Sequence, residues 1–398
     1  MSKEWDPEKQ TNAPDLELNG FSPTEVIDIE ACSMPKAFHK LGELTNTNTY
    51  RALSRLIVCD NYQEKLSEAA HSFEFMESLA KKGLCTTSDG INHLQQFLDC
   101  FFSFCEGAGI SPEEGALLML EDQGGCQTVV IQNSYSEEIA VMHMEEDCAE
   151  AARSGDANTD KKIVTIQLPD RTVTFCMYPG VLSLGTTHGL VTKQNGDQFF
   201  QAADTLDFDV HGNVFWANAL AFILFHCASL EHINEILSQL QHYPELLFAG
   251  AYAVHMIEFS SKKGKQLRSI EFGGPYIRDI PPAYKNGCSV VAGVNFPQDQ
   301  EMADYREKNV SRQNNLMMKE RLRALIQMGI DLGRHDQEPG EWGSRAVLQG
   351  FNNTLQCPRN IHSDCVWGLG NPHVAQRSIL YFPSKGCAKM QIHRHSKR

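Results

Sequence analysis

Apolar residues between Thr49 and Glu121 recur at helical spacing, most clearly as Ile91, Leu94, Phe97, Leu98, Phe101 and Phe102, and predict several amphipathic helices. One start is marked by Ser111-Pro112-Glu113-Glu114: a capping serine, a proline at the first helical position, and a glutamate able to reach back. The period then shortens. Thr128 to Gln132 and Glu138 to His143 predict a hairpin around 133–136, and Ile163 to Leu168 pairs naturally with Val173 to Met177 across Pro169-Asp170. Ala149 to Lys162, polar and glycine-containing, is read as a solvated loop. Helices return at Val214 to His226, apolar on most sides and hence buried, and at Leu230 to Gln241 after a Ser229 cap. Strands are expected at Ala251 to Phe259, Leu267 to Phe272, Ser289 to Val294, Cys365 to Leu369 and Ser378 to Phe382, with a charged helix over Val310 to Leu332. Blocks of strands between blocks of helices predict an α+β fold of antiparallel sheets covered by helices.

Composition narrows the function. A formal charge of −15 argues against nucleic acid and against an anionic membrane surface, since both would repel the chain. Neither class of partner is expected. No run approaches the roughly 18 apolar residues that span a bilayer, and no opening charged-then-apolar segment suggests a signal peptide. The 13 cysteines are odd in number and lack CxxC pairs, which fits reduced thiols in a cytoplasmic protein. Residues 1–20, polar and proline-containing, are read as a mobile lead-in.

Gly124-Gly125-Cys126 places a thiol where a small-residue turn meets a β-branched run. Cutting the Gly125–Cys126 bond would make Cys126 a chain terminus whose own α-amine could activate its thiol. The glycines would permit the close backbone approach that self-attack requires. A buried cysteine at the start of a strand is the plainer alternative from these residues alone.

Several further segments occur in a telling order: Phe104-Cys105-Glu106-Gly107-Ala108-Gly109, then Gly125-Cys126, Gly185-Thr186-Thr187-His188-Gly189-Leu190 through Asn195, His226-Cys227-Ala228-Ser229, and Val290-Val291-Ala292-Gly293-Val294-Asn295. In this order the chain, from about residue 90, resembles the isopenicillin N acyltransferase family of autoproteolytic N-terminal nucleophile (Ntn) hydrolases. The resemblance implies a four-layer αββα sandwich with two stacked, mainly antiparallel sheets. It implies a helical small-chain part, 21–125, and a catalytic part, 126–398, that stay associated after the precursor is cut. Cys126 would carry the acyl group of an N-acyl amide small molecule as a thioester, and Asn295 would donate to the oxyanion. Loss of one such donor costs about 3 kcal/mol of transition-state stabilisation.

The chain departs from the family on the strand after the nucleophile. Where members commonly carry His-Asn-Glu-Asp, this sequence has His143-Met144-Glu145-Glu146-Asp147. Glu146 takes the place of the aspartate near the nucleophile's amine, unless a one-residue slip brings in Asp147; a solvated charge run is the other reading of the three acids. Glu145, His188 and Arg359 are candidates for the substrate pocket. Cys227, Cys357 and Cys365 are read as core or loop thiols, and His393 and His395 as a frayed end. No metal and no cofactor are expected. A relative that keeps the fold only to bind is the alternative to an enzyme, and Met144 favours it.

Overall fold

A computed structural model describes residues 21–23, 26–58, 61–120, 126–133, 138–146, 162–177, 188–206, 214–243, 246–285, 287–308, 312–334, 375–382 and 390–395. Gly125, Asp147, Arg359, Cys357 and the expected strand at Cys365 lie outside these residues, as does the expected loop after Ala149 up to residue 161.

The fold is mixed α+β, with two sheets and helices laid against them. The first sheet has the order β1 (Phe21–Pro23), β16 (Met390–His395), β15 (Ala375–Phe382), β4 (Ile139–Glu146), β3 (Cys126–Asn133), β14 (Cys288–Gly293), β13 (Ala283–Lys285). The second runs β12 (Tyr276–Asp279), β11 (Gly264–Gly274), β10 (Phe248–Ser260), β8 (Gln198–Thr205), β7 (His188–Lys193), β6 (Arg171–Met177), β5 (Lys162–Gln167), β2 (Val26–Glu30), with β9 (Phe215–Trp216) beside β10. All pairings are antiparallel except β2 with β5 and β9 with β10. The expected hairpins form as β3–β4 and β5–β6. His393 and His395 fall within β16 and not in a frayed end.

Strand alternation assigns each face its neighbour. Val173 and Phe175 on β6, Phe199 and Ala203 on β8, and Val254 and Met256 on β10 share a core with α1 (Met34–Ile57), α2 (Tyr62–Lys81), α3 (His93–Ala108), α4 (Pro112–Leu120), α5 (Ala217–Cys227) and α6 (Leu230–Gln241). The opposite faces of the two sheets meet each other. Val130, Val141 and Val291 of the first sheet pack with Leu190, Phe200, Ala202, Ala253 and Ile257 of the second. On the far side of the first sheet, α8 (Arg312–Arg334) lies so close that a Cβ on its Gly329 would meet Val290 and Val129. The short helix α7 (Gln300–Glu307) precedes it.

Local signals hold where they were strongest. Ser111 and Glu114 form a reciprocal capping box, Ser111 N–H donating to Glu114 Oε2 at 2.8 Å and Glu114 N–H to Ser111 Oγ at 3.2 Å. The Glu106-Gly107-Ala108-Gly109 segment is not a free turn but the last turn of α3, closed by Gly109 in the left-handed region. Gly107 there faces the backbone of His39 and Gly42 faces that of Phe104, so α1 and α3 cross at a point where neither helix has room for a side chain. No helix among the described residues is long and apolar enough to cross a membrane.

Candidate functional site

Cys126 is the first residue of β3 and its side chain turns into the space between the sheets, where the residue is 4% exposed. Two neighbours in its own sheet are set by register. Glu145 of β4 stands directly opposite it. On the other side Gly293 of β14 pairs with Thr128, so two further steps along antiparallel chains bring Asn295 to the level of Cys126. Glu146 lies one position beyond the last β3–β4 pair. The side chains of Glu145 and Glu146 fall outside the described residues.

The facing sheet contributes Thr205, the last residue of β8. Its N–H donates to Cys126 Sγ at 3.3 Å, its Oγ1 is 3.8 Å from that sulfur, and Ala203 O is 3.6 Å away. Asn295, 5% exposed, donates from Nδ2 to Thr205 O at 2.7 Å and to Thr205 Oγ1 at 2.8 Å. Both amide hydrogens are thus spent on Thr205. Cys126 and Asn295, 169 positions apart in sequence, are therefore joined through a threonine that the sequence reading did not single out.

Behind this thiol lies a buried polar layer. Thr128 Oγ1 donates to Asp204 Oδ1 at 3.0 Å and lies 2.8 Å from His143 Nδ1. A hydroxyl has one hydrogen, so the imidazole must supply the proton of the second bond, which places a hydrogen on Nδ1 of His143. Asp204 also approaches His255, with Oδ2 3.3 Å from Nε2, and His255 Nδ1 is 2.9 Å from Ser269 Oγ. His188 packs against His143 with ring centroids 4.6 Å apart and planes tilted by 41°. His188 therefore belongs to this inner layer and not to an open pocket wall, being 1% exposed. A Cβ on Gly293 would lie 2.6 Å from His255 Nε2 and would collide with Asp204, so glycine is what lets the layer close.

Glu271 holds the segment that carries Asn295. Its carboxylate accepts Gln298 N–H at 2.7 Å and Asp299 N–H at 2.9 Å, while Gln298 Nε2 donates to Ala292 O at 2.7 Å. Burial pushes the Glu271 carboxyl up to about 7, against the pull of those two backbone donors. The sequence signal for His255 and Glu271 was present: each is a polar residue flanked on its strand by apolar ones, the pattern that calls for a specific partner.

Among the described residues, then, the structure joins Cys126, Thr205 and Asn295, sets Glu145 beside them in register, and leaves His188 in the layer behind. No model of a known protein family matches the chain, and no curated protein matches it either.

Proposed function

We propose that the chain is the precursor of a cysteine amidohydrolase or acyltransferase of the Ntn type, activated by cleavage of Gly125–Cys126, with an N-acyl amide small molecule as substrate. The observation that carries this reading is the convergence of Cys126 Sγ, the Thr205 N–H and the Asn295 amide at one end of the space between two stacked sheets. The layering of helices, two sheets and helix agrees with the αββα arrangement that such enzymes share.

In the processing step Cys126 Sγ attacks the Gly125 carbonyl, the peptide nitrogen leaves with a proton, and water hydrolyses the resulting thioester. This yields a Gly125 carboxylate and a free α-amine on Cys126. That amine then accepts the thiol proton when the sulfur attacks a substrate amide, and passes it to the departing amine. The acyl group remains on sulfur until water or a second amine takes it. In the uncut chain Asn295 gives both hydrogens to Thr205, so it serves the oxyanion only once Thr205 or the amide turns. A binding protein on the same fold is the second reading. It rests on Met144, which offers no amide where the resembling family has asparagine.

The test is the intact mass of the full chain and of Cys126→Ala. Fragments 1–125 and 126–398 from the wild type and one uncut chain from the variant are expected. An uncut wild type that also leaves N-acyl amides untouched sinks the enzyme reading.

A further inference from the structure

A second thiol sits on the helical side of the larger sheet, in different company. Cys227 ends α5, His232 lies in the first turn of α6, and His93 opens α3. One ligand atom from each lies within 4.8 Å of the other two. Cys227 is 8% exposed and His93 6%, while the His232 side chain is 27% exposed and gives the cluster an opening to solvent.

The geometry points to a zinc site formed by His93, Cys227 and His232, which ties the N-terminal helical layer to the α5–α6 corner. One thiolate and two imidazoles are a ligand set that suits Zn²⁺. With Zn–S about 2.3 Å and Zn–N about 2.0–2.1 Å, the ligand atoms of a tetrahedron stand roughly 3.3–3.7 Å apart, so side-chain rotations of about 1 Å close the set. Three protein ligands leave the fourth position to water. Binding is balanced by release of the Cys227 thiol proton to solvent.

The surroundings are those of a built site. Thr87 Oγ1 is 3.2 Å from His93 Nε2, and Asp89 Oδ2 is 3.7 Å from His232 Nδ1. Such outer partners fix ring orientation at metal centres. Asp89 is itself held, its Oδ1 accepting from Thr87 Oγ1 at 2.7 Å and from Ile91 N–H at 3.2 Å. The 85–92 turn is clamped to α6 through Ser88, which donates from N–H and Oγ to Glu235, and through Gln239, which donates to Thr86 O at 2.6 Å. Among the described residues, the two non-glycine residues in the left-handed region are Cys85, whose carbonyl accepts His93 N–H at 3.0 Å, and Ala228, which follows Cys227. Backbone strain of this kind, about 1–3 kcal/mol per residue, persists where surrounding structure fixes it. Here both strained residues adjoin the cluster.

The site does not depend on cleavage, so its test uses the full chain carrying Cys126→Ala, free of any affinity tag and stripped of metal. Zinc titration against a chromophoric chelator is expected to give a single tight equivalent, and Co²⁺ a thiolate-to-metal charge-transfer band. Cys227→Ser should abolish the band and His232→Ala the tight equivalent. Asp89→Asn should weaken zinc about 10–100-fold, and the exposed His71→Ala should change nothing. Because His232 is partly exposed, its variant tests the proposal even if Cys227→Ser fails to fold. A folded chain that takes up no zinc, or the same charge-transfer band in Cys227→Ser, overturns the proposal. Either result leaves the cleavage experiment untouched.

Discussion

The two faces of the larger sheet are built from different matter. Towards the helices it meets Phe38, Phe97, Phe101, Phe222 and Trp216, with ring centroids 5.2 Å apart for Phe97 and Phe222 and 5.7 Å for Phe101 and Trp216. Towards the other sheet it presents His188, Asp204, His255, Ser269 and Glu271, all buried. Apolar packing stabilises in proportion to area removed from water, whereas each buried polar group costs unless its partners are in place. The helical face is therefore the source of stability, and the inner face is where that stability offsets the cost of burying polar groups. Between the sheets the Cys126 thiol has Thr205 beside it, and Thr205 in turn has Asn295.

That contrast can be broken from either side. The largest effect is expected from Phe101→Ala, which removes a fully buried ring from the cluster of Phe73, Phe97 and Trp216. A loss of about 3–5 kcal/mol in denaturant unfolding is expected; a loss below about 1 kcal/mol would deny that this face carries the stability. On the inner side, Glu271 gives a pH signature. Its folded value is raised to about 7 from 4.5, so the folded state holds the proton more tightly across that window. Stability from this group is fully present below about pH 4.5, falls by up to about 3 kcal/mol as pH rises towards 7, and is flat above. Glu271→Gln should remove that slope in unfolding measured from pH 4.5 to 8, and an unchanged slope would assign it elsewhere. The smallest effect sharpens the picture: Gly293→Ala crowds Asp204 and His255 and should cost about 1–3 kcal/mol. A neutral outcome would mean that the polar layer is loose.

Sequence reading recovered the elements whose pattern is local. The β3–β4 and β5–β6 hairpins, the Ser111 capping box and α6 after Ser229 all arise from residues within one turn or one strand of each other. It missed the first half of α1, because Thr45-Asn46-Thr47-Asn48-Thr49 has poor helix propensity. Tertiary packing overrides propensity there: Gly42 fits against α3, and the buried Thr45 and Thr49 satisfy their hydroxyls on the carbonyls of Leu41 and Thr45, at 2.8 and 3.1 Å. It expected a helix from Val214, where Phe215 and Trp216 instead form an edge strand beside Phe248 and Ala249 before the helix begins. Cys126 was singled out by the small-residue turn before its β-branched run, and Asn295 by the family resemblance. Thr205, and the meeting of His93 with Cys227 and His232, depend on contacts across more than 75 residues and leave no spacing to read.

The short strands before α1 have a consequence for the proposed cleavage. β1 lies at the edge of one sheet, beside β16, while β2 closes the edge of the other, beside β5. Ten residues of chain thus clasp both halves of the sandwich, and the helices that follow them cover the larger sheet. A fragment ending at residue 125 would not be a propeptide able to drift away. Its release would require unzipping two sheets and uncovering an aromatic core, so loss of the small chain would proceed at the pace of global unfolding.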